Sequence, residues 1–178
     1  MRTERILRIL RVVSWWIYIG AIVRALVQVG FFVGLLLSKE GTTPGNLLAQ
    51  PQGLLLFVLA FSLSFTVVML YVNLWKRVKD VLTRITISNP FTMDIARMLE
   101  KTGYLLLTIW IISFIGLNFR HYLKKHFSSL GQALDGIDAD LLGFDARGMY
   151  LLAAALVYVI SQVFKRGVEL QQENELTI

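Results

Sequence analysis

The chain has 178 residues, of which 56% are hydrophobic and only 17% charged, with a mean hydropathy of +0.62. So apolar a composition excludes an ordinary soluble domain and sets the class as membrane protein, and the absence of cysteine excludes disulfides, thiolate metal sites and thiol nucleophiles. The net charge of +6 does not signal direct nucleic acid binding, because the basic residues flank apolar runs, where orientation and anionic headgroups account for them.

A helix needs roughly 20 mostly apolar residues to cross about 30 Å of hydrocarbon. Four runs answer to this, at residues 12–37, 54–74, 103–119 and 149–164. They are continuous and Leu-rich rather than alternating, which argues against barrel strands. The last two are short by strict count, and Tyr104, Tyr122, Tyr150 and Lys165 at the interface can lengthen them by a turn.

The first run follows Arg2, Arg5, Arg8 and Arg11. It is too long for the apolar part of a cleaved signal and lacks a small-x-small cleavage site, so it reads as an uncleaved span. Arg24 stands near its middle, where a charged side chain costs roughly 2.5–3.5 kcal/mol on insertion scales, and no Asp or Glu occurs in any of the four runs. Gln28 lies one turn later on the same face and Gly20 one turn earlier. Two readings stand side by side. In one, Arg24 and Gln28 line a polar pocket that binds an anionic ligand or lipid headgroup; in the other, Arg24 snorkels or the span slides toward an interface. The Gly30-Phe31-Phe32-Val33-Gly34 spacing allows close helix approach, expected within the chain against Ala153-Ala154-Ala155 of the fourth span.

After the second span, residues 75–102 form a connector. Trp75 to Ile87 can prolong the span as an amphipathic helix, with Val78, Val81, Leu82 and Ile85 on one face and Lys76, Lys79, Asp80 and Thr83 largely on the other. Ser88-Asn89-Pro90-Phe91-Thr92 breaks it, because Pro90 lacks a donor and pushes Asn89 toward an extended conformation. Thr92 is then the N-cap of a new helix, with Asp94 in its first turn and Phe91 packing forward. That helix carries Ile95, Met98 and Leu99 into the third span.

Counting Lys and Arg outside the spans puts twelve on the side of the N-terminus, the connector and the tail, and five on the other. The positive-inside rule therefore predicts both termini in the cytosol, an external loop at 120–148 and a cytosolic tail at 165–178. The predicted fold is an all-α integral membrane protein, one domain of four transmembrane helices in the bacterial inner membrane. Asp135, Asp138, Asp140, Asp145, His121 and His126 fall at or within the external loop. They lack the Gly and twelfth-position Glu of a calcium loop and the four-residue histidine spacing of a helical zinc pair, so a solvated loop is expected, with no metal and no cofactor. Ser128 and Ser129 have no strained nucleophile turn around them, and no catalytic residues are assigned. The expectation is a protein that is not an enzyme.

The turn Asn89-Pro90-Phe91-Thr92 and the closing run Phe164-Lys165-Arg166-Gly167-Val168-Glu169-Leu170-Gln171-Gln172-Glu173-Asn174-Glu175-Leu176-Thr177-Ile178 carry a resemblance. The chain resembles a bacterial family of four-span membrane proteins of unknown function, the domain of unknown function 2975 family. The family's hallmarks are a Pro-Phe-Thr turn before the third span and a Phe-Lys-Arg-Gly-Val-Glu-Leu-Gln-x-Glu-Asn-x-Leu-Thr-aliphatic ending. The resemblance covers the whole chain in layout, and its specific motifs cover the cytosolic parts. Pairing of such genes with a small helix-turn-helix regulator implies a membrane partner or antagonist of a transcription regulator.

The tail also has a physical reading. Lys165 and Arg166 sit at its membrane end, whereas Glu169, Glu173 and Glu175 are repelled by anionic headgroups and belong in cytosol or against protein. The tail is expected to fold back on the basic connector as a partner-binding platform of Lys76, Lys79, Pro90, Phe91, Thr92, Lys165, Arg166, Glu169, Glu173 and Leu176. The bland alternative is a solvated tail, and the sequence leaves room for a homo-oligomer. Two functions follow: a regulatory or scaffolding protein that presents this platform to a soluble partner, or a small-molecule or lipid-binding protein or transport component centred on Arg24 and Gln28.

Overall fold

The computed structural model describes residues 2–37, 51–85, 92–126 and 148–175. These form four helices: α1 (Arg2–Leu36), α2 (Pro51–Arg84), α3 (Met93–His126) and α4 (Met149–Glu175). All four are long and apolar enough to cross a membrane, and in lipid a helix alone satisfies each backbone group within its own segment. Proline is absent from their interiors, and Pro51 takes the first position of α2, where its missing N–H costs nothing. Polar side chains inside the helices bond their own preceding turns: Thr102 Oγ1 donates to Met98 O at 2.8 Å and Ser161 Oγ to Tyr158 O at 2.6 Å.

The N-cap of α3 is as expected. Thr92 Oγ1 accepts from the Ile95 N–H at 3.3 Å, and Thr92 O accepts from the Ala96 N–H at 3.1 Å. Thr92→Ala is expected to cost about 1 kcal/mol at this helix start, measured as faster amide exchange over residues 93–97. The Ser88-Asn89-Pro90-Phe91 part of the expected break lies outside the described residues, as do residues 127–147 of the expected external loop and Leu176.

The helices overrun the predicted spans. α2 and α3 have 34 residues each, about 51 Å at 1.5 Å per residue, or some 20 Å more than hydrocarbon thickness. The connector flanks are continuous with α2 and α3, the tail is continuous with α4 through Glu175, and α3 runs on to His126 where a loop was expected from residue 120. Hydropathy marks where lipid begins and ends, but Lys, Arg, Glu and Gln are good helix formers and carry the helix past that point.

The three extensive interfaces among the described residues join neighbours in chain order: α1 on α2, α2 on α3, α3 on α4. Burial follows that order. The apolar windows of α3 and α2 are 39% and 22% buried, against 17% for α4 and 11% for α1. The common core is built from Leu74 of α2, Leu106 and Ile109 of α3 and Ala154 of α4, with Tyr71, Tyr150 and Val157 packed around it. α1 is added to the outside of α2.

α1 meets α2 along a seam of Arg11, Ser14, Tyr18, Ala21, Ala25, Gln28 and Phe32, each buried or half-buried. The spacing alternates three and four residues, the 3.5-residue repeat of two helices crossing at a shallow angle. Phe32 anchors its far end, with its ring 3.7 Å from that of Phe61 and 5.5 Å from that of Phe57. Close packing of small residues falls elsewhere than expected. Gly30 and Gly34 have nothing within 4 Å of a would-be Cβ, whereas at Gly103 such an atom would meet Ala154 O at 3.3 Å and Tyr158 N at 3.4 Å. Ala154 therefore packs on α3, because α1 and α4 sit on different neighbours.

Candidate functional site

Antiparallel packing brings the start of α1, the end of α2, the start of α3 and the end of α4 to one side. Each of the four segments there is helical and contributes a specific contact. Arg11 of α1 reaches across to the end of α2: its Nε donates to Leu82 O at 2.8 Å and its Nη2 to Ile85 O at 3.1 Å and Thr83 O at 3.5 Å. Those carbonyls are the ones a helix end leaves without intrahelical partners, and a cation there also meets the negative end of the helix dipole. One turn further along, the Lys79 ammonium lies 4.9 Å from the Tyr18 ring centre, with Asp80 Oδ1 at 3.8 Å. α1 and α2 are thus joined through both the backbone and a cation–π contact.

α3 and α4 are joined by charge. Lys165 Nζ donates to Glu100 Oε1 at 2.9 Å, with both side chains less than a third exposed. Beyond it, Arg166 Nη1 donates to Glu169 Oε2 at 2.9 Å and lies 3.9 Å from Glu173 Oε1. The hydrogen bond to Glu169, and then the charges of Glu173 and Glu169, raise the Arg166 pKa above its ordinary value. Between these polar links, Val81 of α2, Ile95 and Ala96 of α3 and Val168 of α4 are all buried. The end has an apolar interior of its own.

The sequence-derived candidates divide accordingly. Lys79, Thr92, Lys165, Arg166, Glu169 and Glu173 stand at this shared end, as does the exposed Lys76. The tail meets the connector through Lys165, which pairs with Glu100, and Glu169 and Glu173 pair with Arg166 on their own helix. Arg24 and Gln28 part company. Gln28 sits in the α1–α2 seam, where its Nε2 donates to Ser64 Oγ and its Oε1 is buried with no hydrogen-bond partner, whereas Arg24 is exposed on α1.

Arg11, Tyr18, Glu100 and Val168 were missed. Arg11 and Tyr18 were recoverable from the 3.5-residue repeat they share with Ser14, Ala25 and Gln28. Glu100 was visible as an acid among the connector's bases.

Together these observations define an all-helical, multi-pass membrane protein whose helices continue past membrane length at one end. The family model described as Protein of unknown function (DUF2975) matches residues 41–178. The chain belongs to that family. The match takes in α2, α3 and α4, the helices that share the common core, and begins after α1. No functionally curated protein and no solved structure matches the chain.

Proposed function

We propose that this is a non-enzymatic protein of the bacterial inner membrane, with both termini in the cytosol, and that the shared helix end is a platform for a soluble protein such as a small helix-turn-helix regulator. The observation that carries this reading is the overrun of the helices at one end, together with the cross-links of Arg11 to α2 and Lys165 to α3. A helix end that served only to stop in the headgroups would not need its own buried Val81, Ile95, Ala96 and Val168. The twelve-to-five excess of Lys and Arg at that end supports a cytosolic setting. Affinity capture from native membranes tests the proposal, with the full chain and with residues 169–178 deleted. Deletion is expected to reduce capture of a soluble partner at least about tenfold, equivalent to 1.4 kcal/mol. Undiminished capture would sink the platform.

A second reading, binding of a small molecule or lipid near Arg24 and Gln28, is favoured by the orphaned Gln28 Oε1, a buried acceptor that a hydrogen-bond donor on such a ligand would satisfy. Here Arg24→Ala impairs the response to ligand and leaves partner capture intact.

A further inference from the structure

Aromatic side chains of all four helices fall at one level of the bundle. Trp15 and Trp16 of α1 are exposed and Tyr18 is half-buried; α2 places the half-buried Trp75 there, and α3 and α4 the exposed Tyr104 and Tyr158. Three contacts tie these positions together. The Tyr18 ring meets Lys79, one turn beyond Trp75. Leu74 shares the common core with Leu106, two residues from Tyr104, and the Tyr104 and Tyr158 rings are 5.9 Å apart. Trp and Tyr collected at one level sit among lipid headgroups, which puts a membrane interface here and the overrun of the helices beyond it.

Arg77 stands two residues past Trp75, about 3 Å further along the axis, at the level of the lipid phosphates. It is half-buried, and its Nε is enclosed by protein with no hydrogen-bond partner. Its two Nη atoms are neither buried nor bonded to protein, so the guanidinium is rooted in the bundle and opens outward. Arg11, Lys79 and Lys165, also half-buried at this end, are each engaged: by the carbonyls of α2, by Tyr18 and by Glu100. Asp80, the acid nearest to Arg77 along α2, lies 3.8 Å from Lys79. Arg77 is therefore the half-buried base at this end, among the described residues, whose counter-charge comes from outside the chain. A partly desolvated cation is costly until an anion pairs with it, and at this depth the anion that surrounds a membrane protein is the phosphate of its lipids.

We propose that Arg77 is the phosphate-binding residue of a phospholipid site on α2, its Nη atoms donating to two phosphodiester oxygens of one lipid. The planar fork of arginine matches that group in a way an ammonium does not. The bound lipid fixes the depth of α2, and with it the point from which the shared helix end projects. Phosphates lie in both leaflets, so the site holds for either orientation of the chain, and it rests on neither the platform nor the Gln28 reading.

The test titrates the full chain in detergent micelles with phosphatidylglycerol and counts bound lipid by native mass spectrometry. Arg77→Gln is expected to weaken binding of the first lipid at least about tenfold, which corresponds to 1.4 kcal/mol. Lys76→Gln makes the same change of charge at an exposed neighbour and should leave that binding unchanged, while Arg77→Lys, which keeps the charge without the fork, should recover only part of it. Equal thermal melting of Arg77→Gln and the unsubstituted chain in lipid-free micelles would show that the loss lies in the site and not in the fold. The chain lacking residues 169–178 should bind lipid as the full chain does, which separates this result from failure of the platform. Equal losses in Arg77→Gln and Lys76→Gln would reveal diffuse attraction to a basic surface and overturn the proposal. Inorganic phosphate separates the two sources of the same chemistry: if it binds the lipid-free chain through Arg77 while lipid binding is indifferent to Arg77→Gln, the ligand is free phosphate and the lipid assignment falls.

Discussion

Gly103→Leu is expected to destabilise the protein by about 3 kcal/mol, the upper range for overpacking a tight site, and to separate α3 from α4. A Cβ at this position meets the Ala154 carbonyl oxygen at 3.3 Å and the Tyr158 nitrogen at 3.4 Å. Both are backbone atoms of α4, so no side-chain rotation makes room and the helix itself must move. The displacement reaches the shared end, because Lys165 and Glu100 lie next along the same interface and their 2.9 Å contact depends on the helix spacing. Gly103→Ala separates two opposing effects. Alanine gains about 1 kcal/mol over glycine in helix propensity, while its methyl presses α4 outward by a few tenths of an ångström, so the net change should be near zero. Gly30→Leu is the control: nothing stands within 4 Å of that position, and no loss is expected. Denaturant unfolding of the three variants in detergent micelles should rank Leu at 103 far below the other two. Equal stability of Gly103→Leu and Gly30→Leu would show that the α3–α4 approach is not tight.

The same glycines show what could be read in advance. Gly30 and Gly34 have the spacing of a helix-packing motif, and Gly103 has no companion, yet it is Gly103 that is packed. Spacing along one helix says only that a close approach is possible, whereas the approach depends on which helix is opposite. In four runs of similar hydropathy nothing in composition selects the neighbours. The helices themselves were legible because each run is long, continuous and free of internal proline. The Thr92 cap was legible because Pro90 fixes a break two residues before it, and a threonine followed by Met93 and Asp94 has one favourable role there. The ends of the helices were not legible from hydropathy, since the charged segments beyond the lipid remain good helix formers. For the tail, the connector's excess of bases drew attention to Glu169 and Glu173, and Glu100 was passed over as a partner for Lys165. The pairing in the structure uses the connector's Glu100.

Arg11 was the hardest to read, since a basic residue just outside a span already has a sufficient explanation in orientation. Its geometry gives it a second role with a measurable effect. Arg11→Ala removes the side-chain donor from Leu82 O and Ile85 O, contacts of 2.8 and 3.1 Å that are partly buried, and hydrogen bonds involving a charged group contribute about 1.5–3 kcal/mol. Water can recover some of this at the helix end, so a loss of about 2 kcal/mol is expected in the anchoring of the last turn of α2. Amide exchange over residues 81–85 should rise by more than tenfold, the factor that 1.4 kcal/mol represents, while exchange over residues 60–70, deep in the α1–α2 seam, stays unchanged. Arg11→Lys keeps the positive charge near the helix dipole but cannot present two donors in a fixed fork. It should recover less than half of the protection. If lysine restores all of it, Arg11 acts through charge alone, and the link between α1 and the end of α2 is a matter of orientation rather than of capping.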